Sequence, residues 1–385
     1  MPLLRRRHAK KFKKLKKLLL ILALLINSPA LPQAVNTLKI DSLYSSDGPV
    51  VIHENGNIFE AGILPGGGTF TMYKKSISVG DTLSCYVDET GQSFNFTLKD
   101  KIEAEKDVYE MPSKMLMVSD IEGNFNGFQM ILKGAGVIDE NFRWTFGAGH
   151  LVIDGDMFDR SLNVTECLWL IYKLEGEAEN AGGKVHFVMG NHDVMNLKGD
   201  YRYLRKKYLI NADSLKIPYS SWYSGETELG RWLRSKNCIE RIGNILFVHG
   251  GIGGAFPFSK YTLGEINAEF RKRLDLSLTK KQLKEDLFLG SASPVWYRGI
   301  AESKAAPEQV DSVLTHFGAE IMILGHTILD TIKFLYGSKV ITIDLEHKQN
   351  SDNGFMKALY YDSGNFYIID NKSPKRRIKI KIIAP

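Results

Sequence analysis

Hydrophobic and polar residues follow two different rhythms along the chain. Between about residues 35 and 108 they alternate. In GTFTMYKKSISVGDTLSCYVDETGQSFNFTLKD, Phe94, Phe96 and Leu98 fall on one face and Ser93, Asn95 and Thr97 on the other. Turn residues interrupt the pattern at Gly80-Asp81 and at Glu89-Thr90-Gly91. Successive side chains of a strand point to opposite sides, so a period of two broken by turns predicts short strands with one buried face. A small all-β module is expected over 35–108. The glycine-rich GILPGGG (62–68) lacks the Lys-Ser/Thr of a phosphate loop and predicts a mobile turn.

From about residue 111 the rhythm changes. Five short apolar runs each end at a polar residue: MLMVSD at Asp120, HLVIDGD at Asp156, KVHFVMGN at Asn191, ILFVH at His249 and EIMILGH at His326. Between them lie helical stretches such as Thr165 to Ala178, where Cys167, Leu168, Ile171 and Leu174 recur near a period of 3.6. Strands buried on both faces and joined by helices predict an α/β sheet. Ligands of such sheets gather at the carboxyl ends of the strands. Taken singly, Asp120 could be a helix cap, Asp156 a turn residue, and either histidine a satisfied core residue. Five at one kind of position make a constellation of metal-ligand type.

Composition refines this picture. With 385 residues, 44% of them hydrophobic and 24% charged, the chain can bury a sizeable core. Its formal charge of +6 is set by the ends. Nine basic residues crowd positions 5–17, so the remainder is net negative, and six more stand between Lys372 and Lys381. No basic stripe crosses the middle, which argues against nucleic acid as a partner. The basic start leads into nine apolar residues, Leu18 to Ile26, too few to span a bilayer and suited to the apolar region of an export signal. Cleavage is expected after Ala30 in Ser28-Pro29-Ala30, giving an exported, periplasmic or extracellular protein; an uncleaved segment would tether it to a membrane. The alternating KRRIKIKII near the end predicts a final edge strand in the basic tail 371–385. Cys85, Cys167 and Cys238 are scattered and odd in number, so no disulfide framework or thiolate metal site is expected. No partner protein is identifiable.

GDMFDR (155–160), GNHD (190–193), VHGG (248–251) and GHT (325–327) resemble, in order and spacing, the motifs of calcineurin-like metallophosphoesterases. The arginine of GDMFDR and the single histidine of GHT are similar to the phosphoprotein phosphatase branch, and SPVWYRG (293–299) to its bacterial Shewanella-like members. The resemblance covers about 111–370. It implies a β-sandwich flanked by helices, here preceded by the all-β module. It also implies two divalent metal ions, with Asp156 bridging them, Asn191, His249 and His326 completing one site, and Asp120 and residue 122 sharing the other. Oxygen and imidazole donors suit manganese, with iron or zinc as alternatives. A hydroxide held by the metals would attack phosphorus in line. His192 is expected to act as general acid and Asp159 to hold its imidazole. Arg160 and Arg298 are expected to clamp the phosphoryl group, with Tyr297 beside them.

One position departs from the family. Its first motif is Asp-x-His, whereas this chain has DIEG, with Glu122 in place of the imidazole. Glu122 as an oxygen ligand would favour a harder ion; the alternatives are a weakly occupied site or a degenerate enzyme. Between GNHD and VHGG, residues 198–240 are rich in arginine and aromatics. Arg202, Arg231 or Arg234 is expected to help bind an acidic or phosphorylated substrate. A metal-dependent phosphatase acting on phosphomonoesters is therefore the leading expectation. A phosphodiesterase or nucleotidase, a metal-binding protein with weak turnover, and a β-module adhesin with an accessory phosphatase domain are the alternatives.

Overall fold

The computed structural model describes residues 46–66, 69–372 and 378–380. The export signal, the start of the all-β module, residues 67–68 and most of the basic tail lie outside the described residues.

Strands Asp47–Glu54, Asn57–Gly66 and Thr69–Ile77 form an antiparallel meander, and Thr82–Val87 with Gln92–Thr97 forms a hairpin. The glycine-rich run is mostly strand, not turn: Gly62 pairs with Tyr73 and Pro65 with Phe70. A Cβ at 62 would press on the Tyr73 ring at 2.9 Å and the Asp47 carbonyl at 3.0 Å, so glycine eases the approach of the neighbouring strands. The hairpin alternates as expected, with Leu83, Cys85, Val87, Phe94 and Phe96 buried and Ser93, Asn95 and Thr97 exposed. Its buried face does not close on itself. Phe96 stacks on Trp169 with centroids 4.3 Å apart, and the Trp169 indole donates to the Pro49 carbonyl at 2.7 Å. The β segment and the α/β segment thus share one hydrophobic core.

The α/β segment holds two six-stranded sheets. One runs Ile378–Ile380, Asn365–Asp370, Lys357–Asp362, Lys114–Val118, His150–Asp154, Lys184–Val188. The other runs Lys333–Leu335, Val340–Thr342, Ile321–Leu324, Ile245–Phe247, Glu240–Ile242, Val108–Tyr109. Met115, Met117, Val152, Phe247, Ile323 and Ile341 from both sheets form a dry core. The opposite face of the first sheet packs under helices Phe125–Gly134 and Val164–Asn180, which explains why its central strands are apolar on both sides. The second helix extends the expected 165–178 by one residue before and two after, and buries Cys167, Leu168, Ile171 and Leu174 as predicted. All three cysteines are buried and free. Ile378–Ile380 is the predicted edge strand, paired with Phe366–Ile368.

The parallel strands Lys114–Val118, His150–Asp154 and Lys184–Val188 release Asp120, Asp156 and Asn191 at one end. The parallel strands Ile245–Phe247 and Ile321–Leu324 of the second sheet release His249 and His326. A third parallel strand there, Val340–Thr342, leads to Asp344, which the sequence reading did not single out. Among the described residues no helix is long and apolar enough to cross a membrane.

Candidate active site

The loops after these strands are built by hydrogen bonds to buried carboxylates. Asp193 accepts from the amides of Asp156 at 3.0 Å, Met157 at 2.9 Å and Gly190 at 2.8 Å, tying GDMF to GNHD. Two glycines permit the approach. A Cβ at Gly190 would collide with the Asp156 carboxylate, and one at Gly155, where φ is +87°, with the His249 ring. Asp120, Glu122, Asp156, Asp159, Arg160 and His326 themselves adopt positive φ, between 49° and 75°.

The expected ligands converge. Atoms of Asp156, His249 and His326 lie within 4.8 Å of one another, and so do atoms of Glu122, Asp156 and His192. The Asn191 side-chain oxygen faces His326 Nδ1 at 2.5 Å and both His249 Nε2 and Asp156 Oδ2 at 3.3 Å. Hydrogen bonding alone would turn this amide over; lone pairs converging on one point suit a cation. Both histidines are aimed from behind. His249 Nδ1 donates to the Asp154 carbonyl at 2.6 Å, and His326 Nε2 to the Trp296 carbonyl at 3.0 Å, leaving the other nitrogen of each for the centre. Asp120 accepts from the Ser119 hydroxyl at 2.6 Å and the His326 amide at 3.0 Å. The residues present therefore fit divalent cations, with Asp156 common to both groups.

The charge distribution points the same way. Burial pushes the Asp120 carboxyl up to about 6, and burial with the neighbouring Asp120 charge pushes Glu122 up to about 8. Burial also opposes charge on Asp156, but His249 and His192 outweigh it and hold that carboxyl below the usual range. Carboxylates crowded and mostly buried need positive charge close by.

His192 lies beside this cluster. Its amide donates to Asp156 Oδ1 at 2.8 Å, and its ring Nδ1 meets Asp159 Oδ2 at 2.7 Å. Asp159 is held in turn by Asn196 Nδ2 at 2.9 Å. Burial alone would favour the neutral imidazole; Asp156 and Asp159 overcome it and raise the His192 pKa to about 9. Arg160 does not pair with Asp159. Its Nε contacts Glu122 Oε1 at 2.6 Å. Arg298 is exposed, and its Nη1 donates to the His326 carbonyl and, at 3.3 Å, to the Thr327 hydroxyl. Tyr297 packs against Gly253 and Gly299.

The arginines of 198–240 divide. Arg202 pairs with Asp200 and lies over the Tyr203 ring, 5.7 Å from its centroid. Arg231 donates to the Gly225 carbonyl, while Arg234 binds Asp275 and the Tyr223 and Gly230 carbonyls, so both serve the helix Glu228–Arg234 and its surroundings. The sequence reading missed Asp154, Asp193, Asn196, Tyr203 and Asp344. Asp193 had a signal, an acid three residues after a helix-opening glycine. Asp344 had one too, since ITID repeats the pattern of an apolar run ending in a carboxylate. Both Asp344 oxygens are buried without a hydrogen-bond partner among the described residues, and burial with the nearby Asp120 and Glu122 charges raises its pKa well above the usual range.

Comparison with known proteins follows the same outline. The family model for calcineurin-like phosphoesterases matches residues 113–329. Shewanella-like protein phosphatase 2 of Arabidopsis thaliana is 27% identical over 321 residues, 70% of this chain and 81% of that one. Shewanella-like protein phosphatase 1 of Plasmodium berghei is 26% identical over 56% of this chain and 61% of its own length. The crystal structure of a cold-active protein-tyrosine phosphatase from a psychrophilic Shewanella superposes with a TM-score of 0.78 at 32% identity, covering 88% of this chain and 100% of that one.

Proposed function

The chain belongs to the calcineurin-like phosphoesterase family, and from that premise we propose that it hydrolyses phosphomonoesters with His192 as the acid that protonates the leaving oxygen. The observation that carries this reading is the Asp159–His192 pair set against Asp156. Divalent cations at Asp120, Glu122, Asp156, Asn191, His249 and His326 would supply Lewis acidity toward the phosphoryl oxygens and render water nucleophilic at neutral pH. Arg160 and Arg298 bind the phosphoryl group, each with a planar fork that matches two of its oxygens. Asp159 takes the Nδ1 proton of His192 in a hydrogen bond, which leaves the Nε2 proton for the departing alkoxide or phenolate.

The likeness to a protein-tyrosine phosphatase and to Shewanella-like protein phosphatases supports a phosphoprotein substrate. Manganese is the first choice of metal, because four of the six donors are oxygen. Glu122, engaged by Arg160, favours a second reading, a metal-binding protein with weak turnover. Export rests on the apolar run 18–26, and a mature protein beginning after Ala30 is the expected product.

Phenyl phosphate separates the two readings, since its leaving group needs a proton. Chelator-stripped protein restored with manganese, iron, zinc or magnesium is expected to regain turnover with at least one of them. His192→Asn is expected to lose about 10²- to 10⁴-fold in kcat with metal content unchanged. Metal binding without turnover in any case would establish the second reading.

A further inference from the structure

Tyr203 stands in the loop between helices Asn191–Leu197 and Lys206–Leu215, with 46% of its surface exposed. Its ring centroid lies 5.1 Å from that of His192. The Arg160 guanidinium lies 5.4 Å from the same centroid and that of Arg202 5.7 Å. The loop is pinned at this point, because the Arg160 amide donates to the Tyr203 carbonyl at 3.2 Å and the Arg205 guanidinium to the Arg160 carbonyl at 2.8 Å. A large, half-exposed aromatic is thus fixed beside both the group that protonates the leaving oxygen and a group that binds phosphate.

We propose that Tyr203 is a specificity-determining residue that packs against the leaving group and selects aryl phosphomonoesters, such as a phosphotyrosyl side chain, over alkyl ones. The leaving oxygen must lie within reach of His192, so whatever that oxygen carries emerges past the neighbouring ring. A phenyl group presents a face or edge to Tyr203; a seryl methylene is too short to reach it. Offset aromatic pairs contribute about 0.5–1.5 kcal/mol beyond area burial, which corresponds to about two- to thirteenfold in rate. The inference rests on the phosphatase reading above.

The test compares kcat/KM on two peptides of identical sequence, one phosphorylated on tyrosine and the other on serine. Tyr203→Ala is expected to lower the phosphotyrosine value about two- to thirteenfold and the phosphoserine value less than about twofold. Tyr203→Phe is expected to keep the wild-type ratio. Tyr203→Leu, which retains cover over Arg160, is expected to behave as Tyr203→Ala does, separating loss of the aromatic face from loss of bulk. Equal losses on both peptides, or a wild-type protein indifferent between them, overturn the inference and leave the phosphatase reading intact. Absence of metal-dependent turnover on either peptide overturns both.

Discussion

Glu122 shows how one residue can serve two neighbours. A carboxylate offers two oxygens where an imidazole in this place would offer one nitrogen toward a metal. One of its oxygens contacts Arg160, while the side chain also stands within 4.8 Å of ligand atoms of Asp156 and His192. Glu122→Ala is expected to weaken the second metal equivalent about tenfold or more. Glu122→His is expected to restore that affinity with a preference moved from manganese toward zinc or iron. Isothermal titration of stripped protein reads both, and identical metal preference in wild type and Glu122→His would exclude Glu122 from the ligand set. At this scale the sequence was legible for residues that both end an apolar run and fall in a family motif, and opaque for Asp344, which ends such a run outside any motif. Asp156, Asn191, His249 and His326 announce themselves by following apolar runs. Asn196 and Asp154 act only through partners brought close by folding. The partner of Arg160 could not be read either, because Asp159 is adjacent in sequence yet turned toward His192.

Among the elements, the run from strand Val340–Thr342 through Asp344 into helix His347–Asp352 forms the back wall of the centre. That helix packs on Phe125–Gly134, with Asn124 Nδ2 donating to Ser351 Oγ at 3.0 Å. Burial pushes the His347 pKa down to about 4, with the Ser119 backbone pulling the other way. The unfolded chain binds this proton at a pKa near 6.5, above the folded value, so stability should fall as pH drops from about 6.5 toward 4. At pH 4.5 the loss amounts to about 2–3 kcal/mol. His347→Leu is expected to flatten that limb by this amount in urea melts of chelated protein at pH 7 and 4.5. An unchanged pH slope would show that His347 already carries its proton when folded. Elements of this kind are legible by period and length, as the helix Val164–Asn180 was. The strand status of Gly62–Gly66 was not, because glycine there answers to the Tyr73 ring across the sheet rather than to local turn chemistry.

At the scale of the whole molecule, the change of rhythm near residue 111 does not mark a seam in the core. Phe94 and Phe96 of the hairpin pack on Phe125 and Trp169 of the α/β segment. Phe96→Ala is expected to cost about 3–5 kcal/mol. It is also expected to lower one common unfolding midpoint, read alike by tryptophan fluorescence and by loss of metal binding. An early separate transition of the β segment would contradict this. Alternation along a strand shows which face is covered but not what covers it, so the shared core was beyond the sequence.

The left-handed backbone of Asp120, Glu122, Asp156, Asp159, Arg160 and His326 has a consequence for how this protein can change. Each non-glycine residue held there stores about 1–3 kcal/mol that glycine would release in part. Part of the molecule's reserve of heat tolerance is therefore located in its chemistry. A laboratory lineage selected for survival at high temperature, with turnover left unscreened, would drift toward glycine at Glu122 first, where crowding by Asp120 adds to the strain, and would become sturdier as it went silent.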